Sequence, residues 1–433
     1  MRIGLFTDTF RPSINGIVYV VESLMRELEA LGHDVYVFCP GKKILPSNQT
    51  ELYEDDTRII RFTSVKGAFF DDYDTSIFFP PRVVQQIKTL NLDIVHVLTP
   101  SQVGLVGIQA AVKNDIPFMI QHSTDLYEFS EDYPMVLPGL LAMLAILLPT
   151  TVKLNRKDVA EVVKLYRPRR GMAKWNKDIV QKAVTMLYSR ADAVIALSEK
   201  SANQLRSWQN ENYSYEIVTL PSGVDALPAP STAQVMEFLD TYDIAPDDEV
   251  FGFVGRLGKE KNLDMLIPAL KFVLAKRPNA RLMFVGDFEY RETLETAAAE
   301  CGYGDRITFT GAIAREKLGV AYAAMKVFVF PSLKDTQGWV LHEAPLAGLP
   351  VVLLDKGVTS AVIEGENGFY VDNMPEAVAA KVIALLEDDK LYTRMSKRSV
   401  EIASQFTEAS QVKKLEVLCR EVIKNHNATE RVG

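Results

Sequence analysis

The sequence has few cysteines, no surplus of positive charge and no repeated or low-complexity segment. Its 433 residues include three cysteines, Cys39, Cys301 and Cys419, which form no CxxC pair and no metal-ligand spacing. This usage is typical of reduced thiols in a cytoplasmic protein. The net charge of −8 argues against nucleic acid as the main partner, because no overall basic surface exists to neutralise phosphates. No signal peptide is visible, since the first apolar run meets Asp8 almost at once.

The length and the hydrophobic pattern predict two domains of similar build. A chain of 433 residues is too long for one ordinary core. Short apolar runs alternate with helically spaced segments, which is the pattern of βαβ units with parallel sheets. A turn-rich stretch near Pro221 to Pro230 separates the two series. The strands of the first series are predicted at 3–6, 35–38, 94–98, 118–121 and 193–197, and those of the second at 250–254, 281–285, 307–310, 327–330 and 351–354.

From this pattern we predict an α/β fold with two Rossmann-like domains whose parallel sheets face each other across a cleft. Residues 1–225 form the first domain, 226–408 the second, and 409–433 a final helix that crosses back to the first.

The loop Gly255–Asn262 lies between a predicted strand and a predicted helix. Arg256 offers a planar fork of donors and Lys261 a point charge, and the helix start adds a partial positive charge. A metal-free site for a diphosphate leaving group needs these groups at the carboxyl end of a strand. A solvated charged loop that caps a helix fits the same residues, and the loop alone does not decide between the two.

A second polar segment, 332–344, follows the predicted strand 327–330 and enters a helix near Gly338. Asp335 lies in the loop and Glu343 about a turn and a half into the helix, so the two carboxylates can address different ends of one ligand. Backbone N–H groups around 337–340 can bind sugar hydroxyls or a phosphate oxygen. An N-cap aspartate with a surface glutamate is the alternative interpretation.

In this order the segments resemble glycosyltransferase family 4, the retaining enzymes of GT-B fold. The resemblance extends over nearly the whole chain except about 135–180. It implies hexose transfer from a UDP- or GDP-linked donor to an acceptor, without a metal ion or other cofactor. The other matching pieces are Asn15-Gly16, Gly32 to Val35, His122, Arg190 to Ser198, Pro221 to Asp225 and Gly348 to Val351.

The resemblance implies a role for each matching residue. Arg256 and Lys261 would bind the donor diphosphate and stabilise it as it leaves. Asp335 would lie near the donor sugar, which His122 would face from the first domain, and these four are the predicted catalytic residues. Glu343 would hold the ribose hydroxyls. The predicted donor-binding set further contains Gly16, where the backbone can approach a ligand without a Cβ, and Gln337, Gly338, Trp339 and Val340.

Three features depart from the family pattern. Asp335 stands where the family usually has glutamate, and Asn15-Gly16 stands where many members have two glycines. Pro345 falls inside the motif helix, where it removes a backbone bond to Leu341 and should produce a kink at a cost of about 3 kcal/mol unless other contacts compensate for it. Separately, the run Asp71-Asp72-Tyr73-Asp74 resembles a metal-binding motif, but it lies outside the matching segments and we interpret it as a solvated loop.

The stretch of about 135–180 is atypical. No charge occurs between Tyr133 and Val152, and the segment 153–190 then carries eleven basic and three acidic residues. Three prolines break the apolar run, and predicted strands of one sheet flank it, so we expect an in-plane membrane element or a buried helix rather than a span. The predicted membrane-docking residues are Leu144, Leu147, Arg167, Arg169 and Arg170.

These features predict a glycolipid-forming transferase, closest in character to diacylglycerol glucosyltransferases. It would act on a lipid acceptor at an anionic membrane surface, attached peripherally to the inner face of the plasma membrane from the cytoplasm. The same chemistry on a soluble sugar or polyol is a second possibility, and a UDP-sugar 2-epimerase, which shares the two-domain layout, is a third. Incubation with the donor alone discriminates the epimerase from the transferases.

Overall fold

The computed structural model describes residues 1–13, 15–43, 56–66, 74–76, 85, 87–125, 127–128 and 172–430. The chain forms two compact units, Met1–Ser222 with Glu408–Gly433 and Gly223–Thr407. It therefore leaves the first unit once and returns to it for its last helix. The domain bounds predicted from the sequence lie within a few residues of these two crossings.

The first unit contains an eight-stranded sheet in the order β4-β3-β2-β1-β5-β6-β7-β8. Neighbouring strands are parallel except for the antiparallel pair β3 and β4. The strands are β1 Arg2–Phe6, β2 Asp34–Lys43, β3 Ile59–Lys66, β4 Asp74–Ser76, β5 Ile94–Val97, β6 Phe118–His122, β7 Ala193–Ala196 and β8 Ile217–Thr219.

The second unit contains a six-stranded sheet in the order β11-β10-β9-β12-β13-β14, with parallel neighbours throughout its described strands. These strands are β9 Glu249–Val254, β10 Ala280–Val285, β11 Ile307–Phe309, β12 Val327–Phe330, β13 Val351–Leu353 and β14 Gly368–Tyr370.

Helices connect the strands, as parallel sheets require. They are α1 Gly16–Ala30, α2 Gln102–Asn114, α3 Met172–Tyr188, α4 Glu199–Trp208, α5 Thr232–Thr241, α6 Leu266–Leu274, α7 Arg291–Glu300, α8 Leu318–Ala324, α9 Val340–Leu346, α10 Pro375–Glu387, α11 Asp389–Ala403 and α12 Glu408–Glu430. Short 3-10 turns cover Lys259–Lys261, Leu263–Met265, Gly304–Arg306, Arg315–Lys317 and Ser404–Phe406.

The central strands are apolar because helices cover both faces of such sheets. Every residue of β5, β6, β7, β9, β10 and β12 is buried. The chain reverses its direction across the sheet between β1 and β5 in the first unit, and between β9 and β12 in the second. Ligands of such sheets bind at the carboxyl ends of the strands at these switch points, because the loops there diverge.

The last helix, α12, lies in the first unit and contributes to its core through Val412, Leu415 and Val422, all buried. Polar contacts fix its ends. Arg26 on α1 donates to Glu408, and His426 Nδ1 lies 2.8 Å from Asp192 Oδ1.

The ten strands predicted from apolar runs are present, and the predicted α/β fold is confirmed. Four strands were missed, β3, β4, β8 and β14. One correction concerns the atypical segment, for which the sequence analysis gives bounds of about 135–180. Helix α3 already belongs to the core of the first unit there, with Ile179 and Val180 buried. Among the described residues no helix is both long and apolar enough to cross a bilayer.

Candidate active site

The two polar segments predicted from the sequence, 255–262 and 332–344, lie next to each other at the switch point of the second unit. Strands β9 and β12 are parallel neighbours, so the loops that follow Val254 and Phe330 leave the same edge of the sheet. Lys261 Nζ in the first loop donates to Asp335 Oδ1 in the second at 2.7 Å, and both side chains are mostly buried. Two predicted catalytic residues therefore form one ion pair at the position where this fold class binds ligands.

Asn262 holds the Lys261 loop in place. It adopts the left-handed conformation (φ 56°), which asparagine tolerates, and ends the turn Lys259–Lys261. Its side-chain Nδ2 donates to the Pro331 carbonyl at 3.2 Å and to Asn373 Oδ1 at 3.0 Å. The backbone next to Lys261 is thus tied to the loop that carries Asp335, which fixes the geometry of the pair.

Arg256, the predicted partner of Lys261, makes different contacts. Its side chain is 55% exposed, its guanidinium lies 4.8 Å from the centre of the Phe288 ring, and it approaches Glu260 at 3.4 Å. The Glu260 side chain is mostly buried, but the Arg256 end of the pair is open to solvent and the contact is long. An anionic ligand can therefore draw Arg256 away from Glu260 at small cost.

Glu343 lies in the first turn of α9, rather than a turn and a half into a helix as predicted, because α9 begins only at Val340. Its carboxylate is buried and occupied on both oxygens. Oε1 accepts from Arg315, and Oε2 accepts from the Tyr322 hydroxyl at 2.9 Å. Burial, followed by the nearby Glu343 charge, raises the pKa of Tyr322 well above its usual value, so this hydroxyl stays protonated and donates.

Arg315 also contacts the predicted donor-binding segment. Its guanidinium lies 4.8 Å from the centre of the Trp339 ring while donating to Glu343. Sequence reasoning missed both Arg315 and Tyr322, because they lie 28 and 21 residues from Glu343 and belong to no matching motif.

The turn before α9 requires glycine at position 338. Gly338 has φ 66°, and a Cβ there would lie 3.0 Å from Leu341 Cδ1 and 3.1 Å from Phe330 Cζ. The N–H of Leu341 donates to the Gly338 carbonyl at 2.8 Å and starts the helix. The preceding Gln337 is buried, and Val340 is the first helical residue.

Pro345 is the last residue but one of α9, which ends at Leu346, and the kink expected there stays a prediction. Proline cannot donate to the Leu341 carbonyl, but the helical bond from the Ala347 N–H to the Glu343 carbonyl is still formed, at 3.0 Å. The N–H of Leu349 donates to the Ala344 carbonyl at 3.0 Å, and Gly348, with φ 83°, completes the helix end.

In the first unit, the Asn15-Gly16 loop begins α1. Asn15 is the N-cap, and its Oδ1 accepts from the N–H groups of Ile17 and Val18 at 3.1 Å each. This explains an asparagine where many family members have glycine. A Cβ at position 16 would have no described atom within 4 Å, and the φ angle of Gly16 is not positive. The described part of the protein thus places no demand for glycine there, which leaves room for a ligand.

Asp8, at the switch point of the first unit, was not predicted as a site residue. It follows β1, and its carboxylate accepts from the Thr99 hydroxyl at 2.7 Å and from the N–H groups of Ser101 and Val103 at 3.1 and 2.6 Å. Burial raises the pKa of Asp8 to about 6, although these hydrogen bonds oppose the shift. Its position directly after the first predicted strand was the sequence signal that could have identified it, whereas the reversal of sheet order is visible only in the structure.

His122 is the last residue of β6 and is 2% exposed. Nδ1 lies 2.9 Å from the Tyr188 hydroxyl, and Nε2 has no hydrogen-bond partner among the described residues. Burial lowers the pKa of His122, with a smaller opposing effect from the Asp125 carboxylate, so the ring is neutral at pH 7.

The remaining predicted residues lie outside the described part of the chain. These are Leu144, Leu147, Arg167, Arg169 and Arg170. Of the acidic run, Asp71 to Tyr73 also fall outside it, while Asp74 begins β4. Within the described residues no group of three or more His, Cys, Asp or Glu side chains could hold a metal ion.

Family models match most of the sequence. Residues 14–226 match the model described as Glycosyltransferase Family 4, and residues 237–401 match the model described as Glycosyl transferases group 1. The chain belongs to glycosyltransferase family 4. The predicted family and enzyme class are thereby confirmed, and the epimerase alternative is set aside.

Matches to individual relatives cover nearly the whole length of this enzyme. It is 25% identical over 439 residues to alpha-monoglucosyldiacylglycerol synthase of Acholeplasma laidlawii, across 99% of this chain and 98% of that protein. It is 27% identical over 407 residues to a GDP-mannose-dependent alpha-mannosyltransferase of Mycolicibacterium smegmatis, across 92% of each. Anabaena HepE, solved in complex with UDP-glucose, matches with a TM-score of 0.66 at 18% identity, across 97% of this chain and 100% of that one. The GT-B fold is thereby confirmed.

Proposed function

We propose that this glycosyltransferase moves a hexose from a nucleotide-diphosphate sugar to a membrane lipid, with retention of configuration at the anomeric carbon. The observation that carries the donor half is the Lys261–Asp335 pair at the switch point of the second unit. The full-length likeness to a monoglucosyldiacylglycerol synthase supports the acceptor half. UDP-glucose and diacylglycerol are therefore the first substrates to test.

In the proposed reaction, Lys261 binds the donor diphosphate. As the bond between the anomeric carbon and the phosphate oxygen breaks, negative charge grows on the leaving group. An ammonium group already held in place by Asp335 and the Asn262 loop stabilises that charge without rearrangement. Arg256 moves from Glu260 to a phosphate oxygen. Because these two residues supply the positive charge, the proposed reaction needs no metal ion or other cofactor.

Glu343 binds the ribose hydroxyls in this proposal. A carboxylate offers about four acceptor positions, and Arg315 and Tyr322 each occupy one. Acceptor positions on both oxygens are thus left for the two hydroxyl hydrogens of a ribose. The backbone of Gln337, Gly338, Trp339 and Val340 and that of Gly16 contribute further contacts to the donor, and Asp335 accepts from a sugar hydroxyl.

A panel of nucleotide sugars tests the donor. A ligand that binds the folded state raises the unfolding temperature by mass action. At a ligand concentration of a hundred times the dissociation constant, the free energy of unfolding increases by about 2.7 kcal/mol. We expect one UDP- or GDP-hexose to stabilise the wild type and to stabilise Lys261→Ala far less. Lys259→Ala, a matched control on the exposed side of the same turn, should respond like the wild type. Equal stabilisation of all three proteins contradicts the diphosphate assignment.

The acceptor proposal also assigns a surface. We propose that Leu144 and Leu147 enter the headgroup region while Arg167, Arg169 and Arg170 contact anionic lipid, which holds the enzyme peripherally on the inner face of the plasma membrane. Each cation near such a surface contributes about 1 kcal/mol. Not every basic residue of this stretch is free to contact lipid. Lys177 on α3 pairs with Glu128 at 3.6 Å and lies over the Tyr127 ring.

Cosedimentation with vesicles tests this surface. Binding should require anionic lipid, weaken as salt rises, and fall when all three arginines become glutamate, while donor binding survives. If the wild type does not bind anionic vesicles at low salt, the membrane proposal is wrong. A soluble sugar or polyol then becomes the acceptor to test.

A further inference from the structure

The contact between Tyr188 and His122 joins two buried polar groups in the first unit. Tyr188 is the last residue of α3 and His122 the last residue of β6, and both side chains are almost completely buried. Their hydroxyl and Nδ1 atoms lie 2.9 Å apart. The Trp208 ring meets the His122 ring edge to face at 6.4 Å, which limits rotation of the imidazole.

The surroundings determine which atom donates. Among the described residues the Tyr188 hydroxyl has no hydrogen-bond partner other than His122, and Nε2 of His122 has none at all. If Tyr188 donates to Nδ1, the hydrogen of the neutral ring sits on Nε2, and Nε2 alone lacks a partner. If Nδ1 donates instead, both Nε2 and the hydroxyl hydrogen lack partners. The first arrangement leaves fewer buried groups unsatisfied and is therefore preferred.

Neighbouring charged groups do not change this assignment. Asp125 is the nearby carboxylate, but its Oδ1 accepts from the N–H groups of Tyr127 and Glu128, and its Oδ2 accepts from Gln204 Nε2 at 2.8 Å. Burial raises the pKa of the Tyr188 hydroxyl far above its usual value, so it keeps its hydrogen. Burial also disfavours the charged form of His122.

We propose that Tyr188 is a positioning residue that holds His122 in the neutral tautomer with hydrogen on Nε2. His122 then presents an N–H donor to an acceptor oxygen of the substrate, such as a sugar hydroxyl, and does not act as a base through Nε2. The substrate part of this inference rests on the proposed function, whereas the tautomer does not. Nothing in the sequence separated Tyr188 from an ordinary core residue of α3.

Nuclear magnetic resonance of the full chain with ¹⁵N-labelled histidine tests the tautomer directly. The chain has five histidines, so the imidazole spectrum is small enough to assign, with His122→Gln identifying the His122 signals. In the wild type we expect Nε2 protonated and Nδ1 bare between pH 6 and 8. In Tyr188→Phe, which keeps the ring, we expect a mixture of both tautomers. A protonated Nδ1 in the wild type overturns the proposal.

A second buried tyrosine provides the matched control. The Tyr215 ring packs edge to face on Tyr188 at 5.9 Å, while its hydroxyl donates to the Leu205 carbonyl at 3.2 Å. Tyr215→Phe should leave the His122 tautomer unchanged. If it alters the His122 spectrum as much as Tyr188→Phe does, packing rather than the hydroxyl sets the tautomer, and the proposal is overturned.

Kinetics test the positioning role. Tyr188→Phe should lower kcat about tenfold and leave the KM for the nucleotide sugar within about twofold, since one aligned donor is disturbed while the diphosphate site is intact. His122→Gln places an amide N–H₂ near the Nε2 position and should retain about ten times the activity of His122→Asn, which does not reach it. Equal rates for Gln and Asn, or normal turnover in Tyr188→Phe, overturn the positioning role. Absence of turnover in the wild type with every donor is a failure of the proposed function, and the spectra still decide the tautomer.

Discussion

The two units contain similar sheets, but the polar side chains at the ends of their strands have different partners, which are charged in the second unit and neutral in the first. In the second unit, charged groups are paired with opposite charges, Lys261 with Asp335 and Glu343 with Arg315. In the first unit, the carboxylate of Asp8 is surrounded by neutral donors, and the described residues include no cation paired with it. His122 there is neutral and pairs with a hydroxyl.

The proposed function assigns a different kind of ligand to each unit, and this difference in chemistry suits that assignment. A lysine that a carboxylate holds in place suits a doubly charged phosphate group, which can approach the ammonium without rearrangement. Neutral N–H and O–H groups suit the hydroxyls of a sugar or an acceptor. One feature is common to both units, a buried tyrosine whose hydroxyl donates to a candidate site residue. Tyr322 donates to Glu343 in the second unit, and Tyr188 donates to His122 in the first.

The largest expected effect is on turnover when the charge of the second unit is removed. Lys261→Ala should lower kcat about a hundredfold to a thousandfold, the scale of one lost contact to a developing charge. Lys259→Ala should stay within about twofold of the wild type. Steady-state rates with saturating donor measure both, and a Lys261→Ala enzyme that turns over normally would remove the basis of the comparison.

The next effect is on stability. Arg315→Ala leaves the buried Glu343 carboxylate without its cation, and we expect a loss of about 2–3 kcal/mol in the free energy of unfolding, below the full range for a buried pair because Arg315 is partly exposed. Arg291→Ala is the control, since its partners Asp287 and Glu295 lie at the surface, and should lose less than about 1 kcal/mol. Denaturant titrations compare the two, and equal losses would show that the Glu343 pair is not special.

The first unit should respond to pH through Asp8. Its pKa of about 6 in the folded state exceeds the usual 3.8, so the folded state binds this proton more tightly than the unfolded chain. The resulting stabilisation is complete below the unfolded pKa and is lost as pH rises through about 6. Between pH 7 and pH 5 the wild type should gain about 1 kcal/mol relative to Asp8→Asn. Urea titrations at both pH values measure this, and a pH-independent difference contradicts the assignment.

The smallest effect on stability is expected at Gly16. The structure describes open space at its Cβ position and a φ that any residue adopts. Gly16→Ala should therefore leave stability unchanged or raise it by up to about 1 kcal/mol. Turnover should nevertheless fall, because the methyl group would occupy space meant for the ligand. A variant that is both stable and fully active would show that no ligand approaches this backbone.

The sequence predicts the strands at the two switch points because their apolar runs are unbroken and end in polar loops, as in β9 and β12. It does not predict β3 or β14, since the former mixes polar with apolar residues and the latter has three residues. The Lys261 and Asp335 motifs were visible, but their pairing needed the strand order that makes β9 and β12 neighbours. Arg315, Tyr322 and Tyr188 act across the fold on residues distant in sequence, so no local pattern distinguishes them.

The central claim is that the charged pair of the second unit supports sugar transfer from a nucleotide donor to a lipid. Incubation of the full chain with radiolabelled UDP-glucose and vesicles of diacylglycerol with anionic phospholipid tests it most directly, with GDP-mannose in a parallel reaction. The account predicts label in the organic phase with one of the donors, as an α-linked hexosyl lipid, at a rate that Lys261→Ala lowers at least about a hundredfold and Lys259→Ala does not. Lipid labelling that is equal in both variants, or absent from the wild type with either donor, would contradict it.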